Sequence, residues 1–557
     1  MTGNAAKLDR ARIFTRLGEL AFELTPQVFA VATAGLGALM LVSAATPAFS
    51  ERLHALGRFT PPLLIDLSHF AASITGFILL LVSAGLWRRR RGAYYAALIG
   101  LVMGAAFSLL KGLAWDVAIE LMAAAALLAP CRGAFNRRSR LGEPLRPGWL
   151  LVLAAAAAAM LWLGFFTYRD TAYADELWWT FLTDKQASGF LRAGAVVAIL
   201  TLAAAVRSLL TAPGARSHGP AAPGDIERAR LALETADSAT PEARLALLGD
   251  KALLFSPSGC SFIAYRVRGR RWIAMGEPAG LKAERTALLW AFAELADSYG
   301  GAAVFYSVSE EMLVDLATLG LAVRKVGEAA VIRTADFSLA GKGRQNLRTA
   351  VNRAEREGMM VDILPPGAAR PLEAELRAIS DAWLRHHNGA EKDFSLGRFD
   401  IGYLDGAPLA VARVDGRIVA FANLLIGTDG ADGREAMIDL MRYDPDGPHG
   451  VMDVLFTRAA QWAQAEGLSG FDLGMAPLSG LENRRLAPVF ARVGALVFEE
   501  GGAVYGFQGL RAYKAKFGPT WRPKFIAAPA STPLPLALLD VALLTSGGWL
   551  GLLGLKK

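Results

Sequence analysis

Cysteine is nearly missing from this chain: Cys131 and Cys260 are the only two in 557 residues. Two thiols so far apart cannot build a zinc cluster, and one bridge between them would be unusual. Both are expected to be free thiols in a reducing compartment. Charge is scarce too. Charged residues are 20% of the chain against 53% apolar, and mean hydropathy is +0.33. That balance excludes a disordered chain and an ordinary soluble enzyme. Common catalytic signatures are also absent. There is no G-x-S-x-G elbow and no H-E-x-x-H, and Gly341–Lys342–Gly343 lacks the rest of a P-loop, so ATP activation is not expected. The pair His386–His387 has no carboxylate or cysteine at ligand spacing, and no metal or cofactor is expected. What the chain does have is length, too much for one compact domain, and positive charge. A net charge of +8 and a pI near 9.5 suit acidic partners such as anionic lipid or RNA.

The apolar residues are concentrated in residues 1–212. Val28–Ser50, Gly92–Leu110 and Trp149–Tyr168 carry no charge, and Leu67–Trp87 holds only His69. Each can cross roughly 30 Å of hydrocarbon at 1.5 Å per residue. Leu113–Pro130, with Asp116 and Glu120 one turn apart, and Gly189–Leu210, with Arg192 and Arg207 near its ends, complete six predicted spans. The submerged carboxylates mark either an ion or lipid path or an outer interface. Basic residues set the orientation. Lys7, Arg10, Arg12 and Arg16, then Arg88 to Arg91, then Arg132, Arg137, Arg138, Arg140 and Arg146 fall on one side. Only Arg52, Arg58, Lys111, Arg169 and Lys185 fall on the other. The positive-inside rule places the N-terminus and everything after the sixth span in the cytoplasm. The first span is too long for a cleaved signal peptide and lacks its exit motif.

Residues 213–225 are a Pro/Gly/Ala-rich linker without periodicity. Beyond it, short strands alternate with helices, an α/β or α+β pattern. Two similar units are expected, over 226–335 and 336–528, as either a duplicated acyltransferase-like fold or two unrelated α/β modules. In the first, strands at 261–267 and 271–275 flank the turn Arg268–Gly269–Arg270 and precede a helix at 282–299 and a strand at 302–308. In the second, a helix at 372–387 leads to strands at 409–414, 418–426 and 435–441 and a helix at 451–466. The tail 529–557 is apolar but broken by prolines and a Gly-Gly. It predicts an interfacial helix or a segment docked on the core, not a seventh span.

The candidate chemistry lies in polar residues within these apolar elements. Asp439 ends a strand whose alternation points Ile438 and Leu440 one way and Asp439 and Met441 the other. Its carboxylate suits a base or an ammonium site. Arg442 offers a fixed cation for a phosphate or a developing oxyanion. An Asp–Arg pair closing a turn is the alternative. Two basic segments follow. Lys342, Arg344, Arg348, Arg353 and Arg356 share a predicted helix over 342–357, interrupted by Glu355 and Glu357. Arg511, Lys514, Lys516, Arg522 and Lys524 alternate with Tyr513, Phe517, Trp521 and Phe525. Cations interleaved with aromatics suit a nucleic-acid strand or an anionic lipid surface, and a solvated charged face is the plainer alternative. The loop Gly474–Gly480, with Gly474, Met475 and Ser479, either lets backbone approach a substrate or is simply a tight turn.

Several segments then occur in a telling order: GEPAG (276–280), GRQNLRTAVNRAEREG (343–358), FSLGRFD (394–400), DLMRYDP (439–445), VMDVLF (451–456), FDLGMAPLSG (471–480) and LRAYKAKFGPTW (510–521). Over roughly 226–528 the chain resembles the C-terminal catalytic domain of the multiple peptide resistance factor family, the aminoacyl-phosphatidylglycerol synthases. The resemblance implies two tandem GNAT-like folds behind a multi-span membrane domain. It implies transfer of an aminoacyl group, Lys or Ala, from aminoacyl-tRNA to a glycerol hydroxyl of phosphatidylglycerol. It also implies a bacterial inner-membrane location and resistance to cationic peptides through a less negative membrane. Asp439, Arg442 and Lys514, together with Glu355, match its catalytic positions. Lys342, Arg344, Arg348, Arg353, Arg511, Lys516, Arg522 and Lys524 become the expected tRNA or phosphate contacts. An activated ester donor agrees with the missing ATP site and missing nucleophile, since positioning and charge placement then supply most of the catalysis. The competing readings are an acyl-CoA-dependent GNAT-type acyltransferase, for which no Q/R-x-x-G-x-G/A signature is evident at a strand–helix junction, and a non-catalytic lipid flippase or RNA-binding membrane protein.

Overall fold

The computed structural model describes residues 24–40, 62–110, 114–137, 218–387, 389–428, 433–500 and 507–552. They form two compact units that divide near residue 214. In the first, helices α1 (Leu24–Met40), α2 (Pro62–Trp87), α3 (Arg91–Leu110) and α4 (Trp115–Leu128) are described, the last continuing as a 3-10 turn over Ala129–Ala134. Small residues let them approach. A Cβ on Gly37 would sit 2.7 Å from the Gly76 carbonyl oxygen, and Leu79, Ala93, Ala97, Leu101 and Leu121 fill the seam. Among the described residues, two helices, Arg91–Leu110 and Trp115–Ala134, are long and apolar enough to cross a membrane. They coincide with the third and fourth predicted spans. The second lies within α2, the first falls partly on α1, and the fifth and sixth lie outside the described residues. Asp116 and Glu120 are exposed, facing away from the buried stripe Val117, Ala118 and Leu121.

The second unit is built on one eleven-stranded sheet. Its first half carries β1 (Ala252–Phe255), β2 (Phe262–Arg268), β3 (Arg271–Met275), helix α6 (Arg285–Ser298) after α5 (Pro223–Glu234), β4 (Ala302–Val308), α7 (Leu313–Thr318) and β5 (Leu321–Arg333). Its second half carries α8 (Gln345–Arg356), β6 (Met360–Leu364), α9 (Glu373–His386), α10 (Ile401–Asp405), β7 (Leu409–Val414), β8 (Arg417–Ile426), β9 (Glu435–Tyr443), α11 (Val451–Ala465), β10 (Gly470–Pro477), α12 (Val489–Glu500), α13 (Phe507–Ala515) and β11 (Thr520–Pro529). The strand order is β1-β2-β3-β4-β11-β5-β10-β9-β8-β7-β6. Both halves repeat one plan. β1-β2-β3 and β7-β8-β9 are antiparallel runs, and the helical crossovers of α6 and α11 make β3 parallel to β4 and β9 parallel to β10.

The two expected units, 226–335 and 336–528, share strands within this one sheet. β11, from the second half, lies between β4 and β5 of the first, and β5 lies between β11 and β10. Each half ends on an open edge, and the exchanged strands satisfy both rows of backbone donors and acceptors. The sequence patterns that drive this are simple. In α8, Leu347, Val351 and Ala354 recur at helical spacing and are buried against α11, while the other positions, Ala350 apart, stay polar. β8 is buried on both faces, as its run Ile418–Leu425 demands. The apolar tail forms α14 (Leu534–Thr545), docked on the core through Ala537, Val541 and Leu544. Its lone charge, Asp540, is buried and paired with Arg271 and, at 3.2 Å, with Arg268.

Candidate active site

The site arises where two parallel strands part. β9 and β10 pair only at Gly470↔Glu435, Phe471↔Ala436 and Asp472↔Met437, then diverge. Both are bulged at this point. Opposite Asn423 of β8, Asp439 and Leu440 share one position, and the Leu440 N–H freed from the ladder donates to Asn423 Oδ1 at 2.8 Å. On β10 the register to β5 shifts between Asp472 and Met475. The β9 bulge corrects the expected alternation. Ile438 and Met441 pack towards α8 and α11, whereas Leu440 joins the core on the opposite face, and Asp439 and Arg442 contact groups on that same face. A regular strand would have sent Asp439 and Arg442 to opposite sides.

Asp439 is gripped by two donors. The Gly397 N–H donates to Oδ1 at 2.9 Å and the Tyr403 hydroxyl to Oδ2 at 2.8 Å. Burial pushes the carboxyl above its ordinary range, against the pull of those bonds and of the Lys251 charge. Burial and the neighbouring Asp439 charge hold Tyr403 far above its usual value, so it stays a donor. The first half of the sheet supplies the support. Lys251, fully buried, donates to Asp250 Oδ1 at 2.7 Å and to the Leu245 carbonyl at 2.9 Å. Asp250 Oδ2 accepts the Phe394 N–H at 2.9 Å, and Phe394 adopts a left-handed φ of 63°. The loop that presents Gly397 is thus pinned at 394 by Asp250 and at 397 by Asp439. Arg442 is buried, stacked at 4.3 Å on Trp383 of α9, and bound to Glu391 at 3.0 Å. Its buried Nε has no partner among the described residues.

A second charged group follows on β10. Asp472 Oδ1 accepts the Gly474 N–H at 2.7 Å, and the buried Lys514 ammonium donates to the carbonyls of Gly474 and Met475 at 2.8 and 3.0 Å. Gly474 has φ of +84°, which glycine alone adopts cheaply. Burial lowers Lys514 to about 8, with Asp472 opposing the shift. Burial, then the Glu242 charge, raises Asp472 to about 6. Carboxylate and ammonium coexist only between those values. Transfer measured at saturating donor is therefore expected to fall as pH drops through about 6 and as it rises through about 8, and a flat profile from pH 5 to 9 would contradict a working role for this pair.

Other predicted site residues lie elsewhere. Glu355 is exposed on α8, paired with Arg458, and α8 packs on the sheet face opposite Asp439. The structure does not bring it together with Asp439, and Glu355→Gln is expected to change turnover less than about twofold, within the range of exposed pairs. Lys524 is buried against Glu242 at 2.7 Å, and the charges of Glu242 and then Asp472 outweigh burial and raise its ammonium above the ordinary value. Burial opposes ionisation of Glu242, and Lys524 reverses this, leaving the carboxyl below its ordinary value. Arg522 pairs with Glu435 at 2.7 Å, and Arg511 with Glu328 at 3.0 Å while stacking on Trp521. None of these three is a free phosphate contact. Three of the interleaved aromatics belong to the core: Phe517 is fully buried, Tyr513 packs against Phe456, and Trp521 packs on the same cluster. Ser479 is buried and bonded to Ala476 and Glu328, which fixes a turn and presents no hydroxyl to a ligand. The two basic segments do meet through Arg344, which donates to the Lys516 carbonyl at 2.6 Å. Lys342 and Arg353 are exposed on that surface, and Arg348 braces the Leu339 and Gly341 carbonyls. The residues missed from sequence are Tyr403, Lys251, Asp250, Asp472 and Glu242. Each is a polar residue whose burial comes only from distant elements. Among the described residues, no three His, Cys, Asp or Glu converge as a metal site.

A mixed sheet with a bulged, carboxylate-bearing strand at a parallel split is the scaffold of the second unit, and comparison gives its family. Residues 230–528 match the family described as phosphatidylglycerol lysyltransferase, C-terminal, and the chain belongs to that family. It is 30% identical over 518 residues to the phosphatidylglycerol lysyltransferase of Bacillus subtilis strain 168, covering 91% of this chain and 58% of that one. Identity to the Staphylococcus aureus MRSA252 phosphatidylglycerol lysyltransferase is 27% over 450 residues, 81% and 52% of the two chains. The chain thus spans little more than half the length of these relatives. Among solved structures, the C-terminal domain of a putative lysylphosphatidylglycerol synthetase from Agrobacterium fabrum shares 39% identity with a TM-score of 0.52, covering 58% of this chain and 98% of that domain. L-PGS from Bacillus licheniformis shares 34% with a TM-score of 0.51, covering 59% and 98%.

Proposed function

We propose that this protein is a membrane-anchored aminoacyltransferase that moves an aminoacyl group, Lys or Ala, from aminoacyl-tRNA to a glycerol hydroxyl of phosphatidylglycerol. The observation that supports it best is the Asp439 carboxylate, held by Gly397 and Tyr403 on the same sheet face as Arg442, where β9 and β10 part. The hydroxyl oxygen bonds to the acyl carbon and the ribose–acyl bond breaks. The hydroxyl proton passes to Asp439 and on to the leaving ribose oxygen. Alternatively, Asp439 holds the α-ammonium and the proton moves directly. Arg442 and Lys514 bind phosphate or polarise the ester carbonyl. Ester exchange is close to thermoneutral, so placement of these charges suffices for catalysis.

In the same reading each half-sheet is a GNAT-like fold, and the surface of Lys342, Arg344, Arg348, Arg353 and Lys516 takes the tRNA. The first unit anchors the enzyme as a multi-pass protein of the bacterial inner membrane, with the catalytic unit in the cytoplasm. The product makes the membrane less negative and resistant to cationic peptides. The test is direct. The purified full chain is mixed with Lys-tRNA or Ala-tRNA and phosphatidylglycerol vesicles, and the lipid is analysed by mass. An RNase-sensitive aminoacyl-lipid from one donor is expected, and none from either donor would refute the proposal.

A further inference from the structure

We infer that α12 and the turn before it dock the second unit onto an anionic bilayer surface, beside α13, the helix that carries Lys514. The face is apolar and uncovered. Leu486, Val489, Val493 and Leu496 are each more than half exposed, and the last three are spaced one turn apart along one side of α12. The other side is packed. Ala495 is buried, and a Cβ on Gly494 would meet Leu481 and Leu478, so the helix is fixed with its aliphatic stripe outward. Such a stripe on a soluble surface marks an interaction site.

Charge selects the partner. Arg484, Arg485 and Arg492 are exposed around the stripe. Arg484 pairs with Glu482 at 3.0 Å, whereas Arg485 and Arg492 have no ion pair among the described residues. Arginines rimming an aliphatic stripe fit phosphate headgroups above acyl chains. A second copy facing this patch about a twofold axis would set the same arginines against one another. Continuity with the site is the second argument. α12 follows the Gly474–Gly480 loop, and α13, which carries Lys514, packs beside α12 and exposes Leu510. Docking here brings a headgroup to Lys514 without extracting the lipid. The inference rests on the reading that the acceptor is a membrane lipid.

The test uses the full chain reconstituted in phosphatidylcholine vesicles with or without one-quarter phosphatidylglycerol. With Cys131 and Cys260 replaced by Ser, an environment-sensitive dye is placed on Val493→Cys or on the exposed control Val314→Cys. At 493 a blue shift and quenching by headgroup-level spin-labelled lipid are expected in the phosphatidylglycerol vesicles, with neither at 314. A water-like signal at 493 overturns the inference, as does equal shielding in detergent accompanied by a doubled mass, which would assign the patch to a second copy. In parallel, Val493→Asp/Leu496→Asp is expected to lower transfer to bilayer phosphatidylglycerol at least about tenfold, while transfer to dispersed short-chain phosphatidylglycerol stays within about twofold. Unchanged transfer to both overturns docking. If the wild type forms no aminoacyl-lipid on either lipid yet the dye is buried, the functional proposal fails and docking stands.

Discussion

Asp439→Asn is expected to cut aminoacyl-lipid formation by at least about 100-fold, the scale lost when a positioned acid–base group is removed. The fold should not suffer. Because burial raises the Asp439 carboxyl in the folded state, folding favours the protonated form. Stability therefore rises as pH falls through the folded value towards that of the unfolded chain. A neutral amide imitates that protonated form and still accepts from Gly397 or Tyr403. At neutral pH the variant should unfold no earlier than the wild type, in heat or urea. Lost activity with retained stability separates a chemical role from a structural one, and wild-type turnover would refute the chemical role. Gly397→Ala supplies a companion test. A Cβ there would overlap the Asp439 carboxylate, so the side chain must leave its two donors. A comparable loss of turnover is expected with Asp439 itself intact.

Lys251→Met should do the reverse, acting first on stability. The ammonium is fully buried, and its partner Asp250 is nearly so. Burial lowers Lys251 from its ordinary value, and Asp250 restrains the shift. Removing the cation leaves a buried carboxylate with Arg266 at 3.9 Å, the more distant Arg398 charge and the Phe394 N–H. Breaking such a pair costs about 3–5 kcal/mol. A clear fall in the urea midpoint of the second unit is expected, with release of the 394–397 loop that presents Gly397. The double variant Lys251→Met/Asp250→Asn should recover much of the stability, because it removes the stranded charge. If the single variant is as stable as wild type, Lys251 is not the support described.

Much of the local structure is legible in the sequence. The strand Arg271–Met275 and the strand Ala302–Val308 follow from their apolar runs and turn residues, and α8 from its helical stripe. The basic segment 511–524 is where sequence reasoning goes furthest astray. Its cations and aromatics look like a nucleic-acid surface. β11 instead enters the centre of the sheet, so Lys524 becomes a buried ion pair and Arg522 a cross-strand partner of Glu435. Nothing local in the segment signals that Glu242, far away in the chain, completes Lys524.

The sequence by itself determined a membrane-type composition in the first 212 residues, an alternating α/β region beyond 225, and the ordered motifs that carry the family resemblance. These depend on composition and on periods of two and 3.6, which are properties of neighbouring residues. Only the tertiary structure decided the exchange of β5 and β11, the docking of the apolar tail, and which polar residues share a site. Those outcomes depend on pairings between residues far apart in the chain. A single extra residue in β9, opposite Asn423, turns Asp439 and Arg442 to one face, whereas a regular strand would send them to two.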